Sequence, residues 1–136
     1  MVELFGVYRH KVDAKGRLAL PAKFRKELSE DLVVIIDPLA GESLYVFTIE
    51  DYQEWVKSFF KSDGEFDPNN AELVKKRRKL RAMASSVSCD TAGRINLDAS
   101  MREAAGIEKE VALVGNEGYF EIWDAKRWDA YCEENF

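Results

Sequence analysis

The sequence predicts an α+β protein built from two tandem repeats of βαββα type with pseudo-two-fold symmetry, joined by a basic connector helix. Three observations carry that prediction. Asp13-Ala14-Lys15-Gly16-Arg17-Leu18-Ala19-Leu20 recurs as Asp90-Thr91-Ala92-Gly93-Arg94-Ile95-Asn96-Leu97, an offset of 77 residues. The likeness continues through Ala22, Phe24 and Arg25 against Ala99, Met101 and Arg102. At an offset of 76 it resumes, with Leu44-Tyr45-Val46-Phe47 against Phe120-Glu121-Ile122-Trp123. It closes with Tyr52, Trp55, Val56 and Phe60 against Trp128, Tyr131, Cys132 and Phe136, and self-similarity on this scale marks a duplicated unit.

Each element has a local cause. Residues 5–12 mix Phe5, Val7, Tyr8 and Val12 with polar neighbours, the pattern of a half-buried strand. Asp13-x-x-Gly16 is turn chemistry: the carboxylate caps the turn and glycine supplies a positive φ. The chain returns through residues 17–20 to complete a hairpin. Pro21 opens a short helix to about Leu28, and Asp98 takes that place in the second repeat as a side-chain cap. Leu32 to Ile36, matched by Val111 to Val114, reads as a buried strand. Turns at Gly41 and between Gly115 and Gly118 lead to strands 44–47 and 119–123. Thr48 and Asp124 cap amphipathic helices. In the first of these, Tyr52, Trp55, Val56, Phe59 and Phe60 form an apolar stripe at helical spacing, which is core and not a base-stacking platform. Asp67-Pro68-Asn69-Asn70 starts the connector helix, which meets no breaker before Ala84 and docks through Leu73 and Leu80, with Val74 and Met83 at its margins. Ser62-Asp63-Gly64 is the only loose linker. The division is 5–53 for the first repeat and 54–82 for the helix end, linker and connector. The second repeat is 83–127, and 128–136 is the end of the C-terminal helix.

Composition excludes several classes of function. The 136 residues suffice for one core, since a chain near 150 buries about 68–70% of its unfolded surface. Hydrophobic and charged fractions of 46% and 33% argue against wholesale disorder. Cys89 and Cys132 are too few for a disulfide framework or a cysteine zinc site. They match Val12 and Val56 and read as small apolar residues of a chain from the reducing cytosol. The longest apolar run, Leu32 to Ile36, is far short of the ~18 residues of a membrane span, and Arg9-His10-Lys11 arrives too early for a signal peptide. A Ser-His-Asp or Cys-His enzyme would hang on His10 alone, which reads as a polar neighbour on the hairpin. No phosphate-cradling loop or metal cluster appears, so no cofactor, metal or small-molecule substrate is expected.

Net charge is −5, yet its distribution favours a polyanion partner. Residues 9–26 carry seven basic side chains (Arg9, Lys11, Lys15, Arg17, Lys23, Arg25, Lys26) against Asp13. Lys75 to Arg81 holds six against Glu72, while residues 98–136 hold ten acids and four bases. Local field, not net charge, steers a polyanion. Hairpins this short are marginal alone, and two with matching turns invite mutual pairing about a pseudo-two-fold axis. The Asp-x-x-x-Arg spacing brings carboxylate and guanidinium across each turn, so Asp13 orients Arg17 and Asp90 orients Arg94. A guanidinium held this way is a planar fork for phosphate or a guanine edge.

Arg9, Lys11, Asp13, Lys15 and Arg17 are therefore the candidate DNA-binding residues. Asp90 and Arg94 stand second, because Thr91 and Ala92 are uncharged and the pair serves equally as a turn lock. Lys75 and Arg78 stand third: a charged helix is first a solvated face, and the alternative is phosphate contact beside the hairpins. A catalytic pairing of Asp13 with Asp90 is opposed by their arginines, which lower both pKa values instead of splitting them.

The run from Asp13 to Arg25, the duplicated Asp90-Thr-Ala-Gly-Arg94 and the closing Phe120-Glu-Ile-Trp123 resemble the MraZ family, bacterial transcriptional regulators made of two tandem SpoVT-AbrB units of swapped-hairpin type. The resemblance covers nearly the whole chain. It implies a ring-forming homo-oligomer in the cytoplasm, associated with the nucleoid, whose partners are double-stranded DNA and further copies of itself. It also implies binding to short direct repeats in the promoter of the division and cell-wall gene cluster, usually as a repressor. In the family the first motif supplies key DNA contact, which carries over to Asp13 and Arg17 with Lys15 beside them. The second copy departs from the commoner pattern, with no basic residue at Thr91 or Ala92 and Asp98 where proline is usual. Arg94 thus stands between DNA contact and a role in the fold or the ring. The alternatives are a dimeric antitoxin-like AbrB module and a small enzyme using Asp13 and Asp90.

Overall fold

Strands that are apolar on both faces need cover on both sides, and the chain provides it in three layers. A computed structural model of the chain describes residues 1–60 and 66–136; the linker expected at Ser62-Asp63-Gly64 lies outside them. In order come β1 (Val7–Lys11), β2 (Arg17–Ala19), α1 (Ala22–Arg25), β3 (Asp31–Ile36), β4 (Leu44–Thr48) and α2 (Ile49–Ser58). Then follow α3 (Ala71–Ala82), β5 (Ala84–Ser88), β6 (Arg94–Asn96), α4 (Ala99–Ala104), β7 (Glu110–Gly115), β8 (Phe120–Asp124) and α5 (Ala125–Asn135). Six strands form one antiparallel sheet in the order β1-β7-β8-β4-β3-β5, while β2 and β6 form a separate two-stranded ribbon.

The strand entering each Asp-x-x-Gly turn does not pair with the strand leaving it. β1 pairs with β7 of the second repeat, β5 with β3 of the first, and β2 with β6. The hairpin expected over residues 5–20 is thus closed only at its tip, where the Asp13 N–H donates to the Arg17 carbonyl at 2.9 Å and the Gly16 N–H to the Asp13 carbonyl at 3.0 Å. The physical reason is length. Three residues are too few to hold a ladder alone, whereas pairing β2 with its counterpart buries Leu18 directly opposite Ile95 at 0% and 1% exposure. The strand itself begins at Val7, leaving Phe5 exposed ahead of it.

Equivalent residues face each other at two places, Leu18·Ile95 in the ribbon and Tyr45·Glu121 in the sheet. A pseudo-two-fold axis therefore runs through both. The middle strands align Asp31 with Glu110, an offset of 79, so the repeats differ by two residues gained before β7 and three lost before β8.

Strand alternation then sorts the core. Leu32, Val34, Leu44 and Val46 face the ribbon side, with Leu18, Ile95 and Phe24. On the other face Val33, Ile35, Tyr45 and Phe47 lie under Tyr52 of α2 and Leu80 of α3, and Ala112 and Trp123 lie under Trp128 of α5. The aromatic stripe is core: Tyr52 and Phe60 are buried, and the Trp55 and Phe47 ring centroids are 4.9 Å apart. Every helix cap named from sequence forms. Thr48 Oγ1 accepts from the Asp51 N–H at 3.2 Å, and Asp98 Oδ1 from the Met101 N–H at 2.8 Å. Asp124 Oδ2 accepts from the Arg127 N–H at 3.4 Å. Helix α1 is shorter than expected and stops at Arg25, because the chain must turn in time to begin β3 at Asp31.

Truncating the ribbon's axis tests whether it belongs to the cooperative core. Leu18→Ala should cost about 2–5 kcal/mol and Ile95→Val about 0.5–1.5 kcal/mol in urea denaturation. A loss under about 1 kcal/mol for Leu18→Ala would mean the ribbon docks without supporting the fold.

Candidate nucleic-acid interface

Each turn is held by one carboxylate used twice. Asp13 Oδ1 accepts the backbone N–H groups of Lys15 and Arg17 at 2.9 and 2.8 Å, while Oδ2 accepts Arg17 Nε at 2.7 Å. Asp90 Oδ1 accepts from Ala92 and Arg94, both at 2.9 Å, and Oδ2 accepts Arg94 Nε at 3.0 Å. Both carboxyls sit below the usual aspartate range, chiefly through the backbone N–H of the paired arginine and next through its guanidinium. Because the carboxylate takes Nε, the terminal NH2 groups of Arg17 and Arg94 are left as outward donors. Gly16 and Gly93 take φ of 83° and 77°, and each carbonyl accepts from the other repeat: Leu97 N–H to Gly16 at 2.8 Å, Leu20 N–H to Gly93 at 2.9 Å.

The ribbon decides where the arginines point. Directly opposed residues of an antiparallel pair share a face. Leu18 and Ile95 point inward, so Arg17, Asn96, Ala19 and Arg94 form the outer face, with the arginines at diagonal corners and one turn at each end.

Alternation also separates residues that the sequence had grouped. Tyr8 and His10 face the ribbon side, where the Tyr8 ring lies 5.3 Å from Phe24 and His10 Nδ1–H donates to the Ala19 carbonyl. Arg9 and Lys11 leave the opposite side of β1, towards α5. There Arg9 pairs with Asp129 at 2.6 Å, and Lys11 lies 4.0 Å from Glu110. Arg9 and Lys11, grouped with Arg17 along the sequence, are thus separated from it in space by the period of the strand.

Lys75 and Arg78 lie on a solvated helix face, and only their alternative placement beside the hairpins is at issue. Leu80 docks α3 on the sheet face carrying Val33 and Ile35, whereas the ribbon lies on the face carrying Leu32 and Val34. The basic helix is across the sheet from Arg17, not beside the hairpins. Two of its cations serve docking: Lys76 Nζ donates to the Phe59 carbonyl at 2.7 Å, and the Arg77 guanidinium lies 3.8 Å from the Phe66 centroid.

The two halves thus share one turn, one ribbon strand and one register, and comparison with known proteins gives the same division. A family model described as "MraZ protein, putative antitoxin-like" matches residues 4–74 and 80–136, one Asp-x-x-x-Arg turn in each segment. The chain belongs to the MraZ family. A protein of Treponema denticola named Transcriptional regulator MraZ is 34% identical over 96% of this chain and 88% of its own. The relative of the same name from Spiroplasma kunkelii is 33% identical, again over 96% and 88%. That from Corynebacterium diphtheriae is 39% identical over 95% and 86%. The MraZ family is not an enzyme family, so Asp13 and Asp90 are not a catalytic pair; each is committed to its own arginine.

Sequence reasoning did not single out Arg25 beyond its place in the basic run. Its guanidinium lies against Gly93, in the space a β-carbon would fill. The counterpart Arg102 donates Nε to the Leu97 carbonyl at 3.0 Å, beside Gly16. The match of Arg25 with Arg102 was visible in the repeat, but its meaning needed the ribbon. Among the described residues no group of His, Cys, Asp or Glu could hold a metal ion, and no helix is long and apolar enough to cross a membrane.

The lowered aspartates set a pH dependence. A carboxyl whose folded pKa is depressed stabilises the fold fully above its unfolded pKa and loses that contribution as pH falls through the folded value. Between about pH 8 and 5 the turns should be insensitive to pH, with the loss confined to more acid conditions. The double variant Asp13→Asn, Asp90→Asn should flatten the acid limb of a urea-midpoint-against-pH curve. An unchanged limb would uncouple these carboxylates from folding.

Proposed function

We propose that this chain is a sequence-specific DNA-binding transcriptional regulator, a repressor of the division and cell-wall gene cluster that reads short direct repeats in its promoter. The observation carrying this reading is the outer face of the β2–β6 ribbon, where two carboxylate-oriented arginines flank Ala19 and Asn96. Two-stranded ribbons fit the major groove, which is roughly 12 Å wide. The ladder's three pairs extend about 7 Å between the outer pairs. Arg17 and Arg94 match guanine edges or phosphates, and Lys15 at the exposed turn adds a charge that reads no sequence.

One such ribbon offers few contacts, so the affinity comes from repetition. Copies assembled head to tail into a ring present successive ribbons on one rim, and each bound repeat raises the effective concentration for the next. The regulator works in the cytoplasm at the nucleoid. The printed name of its relatives, Transcriptional regulator MraZ, supports the regulatory part of this reading. The antitoxin-like wording of the family description supports a second one, an antitoxin-like module, for which a dimer is the assembly we propose. Sizing the purified protein separates a ring from a dimer.

Fluorescence anisotropy of a duplex from upstream of the chain's own gene, with a scrambled duplex beside it, tests the assignment. Arg17→Ala should weaken binding of the promoter duplex by about 1–3 kcal/mol. Lys15→Ala should weaken both duplexes alike and lower the salt slope by ~1. Wild-type binding by both variants would overturn the assignment, and no binding of the wild type at low salt would overturn the regulator.

A further inference from the structure

Helix α3 carries more cations than its docking uses. Leu73 and Leu80 are its buried residues, and between them Lys76 bonds the Phe59 carbonyl and Arg77 lies over the Phe66 ring. These four stand at i, i+3, i+4 and i+7, which makes them the face turned to the protein. Lys75, Arg78 and Lys79 stand at i, i+3 and i+4 of the opposite side, and all three are exposed. Among the described residues none of the three forms an ion pair. Glu72, the one acid of the helix, lies in its first turn.

Like charges three and four residues apart destabilise a helix. The helix dipole favours cations only in the last turn, where Lys79 and Arg81 already lie. Solvent screens the remaining repulsion without removing it, whereas an external polyanion turns it into attraction. The chemistry of the ridge selects among polyanions. Arg17 and Arg94 are each gripped by a carboxylate, but the heads of Lys75, Arg78 and Lys79 are held by none, which suits phosphates at any sequence. A membrane surface takes up an apolar face beside the charges, and both leucines of α3 are already buried against the protein. Position matters as well. Leu80 sets α3 on the sheet face opposite the ribbon, so a straight duplex lying on the ribbon does not reach the ridge.

We propose that Lys75, Arg78 and Lys79 form a second DNA-binding surface, which holds the phosphate backbone of a separate duplex segment without reading its sequence. The chain then bridges one duplex on its ribbon to another on α3. The bridging rests on the DNA-binding reading above; the ridge does not. An open cleft runs along the flank of the ridge, lined by Asn70, Leu73, Lys75 and Lys79 among others, and gives a phosphate strand access to both lysines. Glu72 borders the same cleft and confines the strand to the lysine end.

Removing the three charges together tests it, since Lys75→Gln, Arg78→Gln and Lys79→Gln keep good helix formers on an exposed face. In an Arg17→Ala, Arg94→Ala background, anisotropy should still show binding of a scrambled duplex. Adding the triple change should weaken that binding on the order of tenfold, with a salt slope smaller by ~2–3. With an intact ribbon, protein on an immobilised promoter duplex should capture a fluorescent scrambled duplex. The triple variant should lose the capture and keep its promoter affinity. A charge-keeping variant, Lys75→Arg, Arg78→Lys, Lys79→Arg, should behave like wild type; its failure would indicate packing instead of charge and overturn the inference. Unchanged scrambled-duplex binding in the triple variant would overturn it too, and so would lost promoter affinity, which would put α3 on the ribbon's own duplex. Sedimentation with phosphatidylglycerol vesicles that the triple change abolishes, with duplex binding untouched, would give the ridge to a membrane. If the wild type shows no preference for the promoter while the triple change still weakens scrambled-duplex binding, the ribbon reading falls and the ridge stands.

Discussion

Three residue pairs, Arg17·Asn96, Leu18·Ile95 and Ala19·Arg94, are what the rest of the molecule depends on. Neither strand is long enough to stand alone, and neither finds its partner within its own repeat. Their pairing buries Leu18 and Ile95 on the sheet and turns the alternate residues outward. The ladder is extended by one bond at each end, through the Gly16 and Gly93 carbonyls, which ties each turn to the strand of the other repeat. A change in this register by one residue would exchange the arginines for the two core residues. Stability and surface chemistry are thus specified by the same alternation.

The charges of this acidic chain are used in two different ways. Many of its cations are consumed by the fold: Arg9 by Asp129, Lys76 by the Phe59 carbonyl, Arg77 by the Phe66 ring and Arg102 by the Leu97 carbonyl. Those on the ribbon are treated differently. Arg17 and Arg94 are each gripped through Nε, which restricts rotation of the side chain while leaving its outer donors unused. Ordering them before a ligand arrives reduces the entropy that binding must otherwise cost. A surface ion pair of this exposure contributes little to stability, so on the proposed DNA-binding reading its value lies in orientation.

Duplication within one chain also lets the two copies diverge. Pro21 precedes α1 with no side-chain cap, whereas Asp98 caps α4 through both Met101 and Ser100. The longer β3–β4 loop folds around the buried Asp37, whose Oδ1 accepts from Leu39 and Ala40, while β7 and β8 join through a shorter turn with Gly118 at φ 87°. At the axis itself Tyr45 faces Glu121, so the symmetry is geometric without being chemical. Its phenol is held well above the usual tyrosine range, first by burial and then by the nearby Asp37 carboxylate, which keeps it neutral beside Tyr119.

What the sequence determined by itself was whatever depends on neighbours a few residues apart. The duplication, the caps at Thr48, Asp98 and Asp124, the aromatic stripe of α2 and both Asp-x-x-x-Arg turns were legible because each interaction closes within about one turn of chain. Tertiary structure alone decided which strand pairs with which, and so which face each residue occupies. That is why Arg9 and Lys11 were misgrouped with Arg17: their strand joins β7, and its period of two sends them to α5. Lys75 and Arg78 are exposed, as a solvated helix face requires, but the side of the sheet that carries them is set only by Leu80 meeting Val33 and Ile35. Arg25 on Gly93 was invisible because the two residues meet only through the ribbon. Local chemistry is written in residue types and spacing, whereas face and partner follow from a register that exists only once distant strands have met.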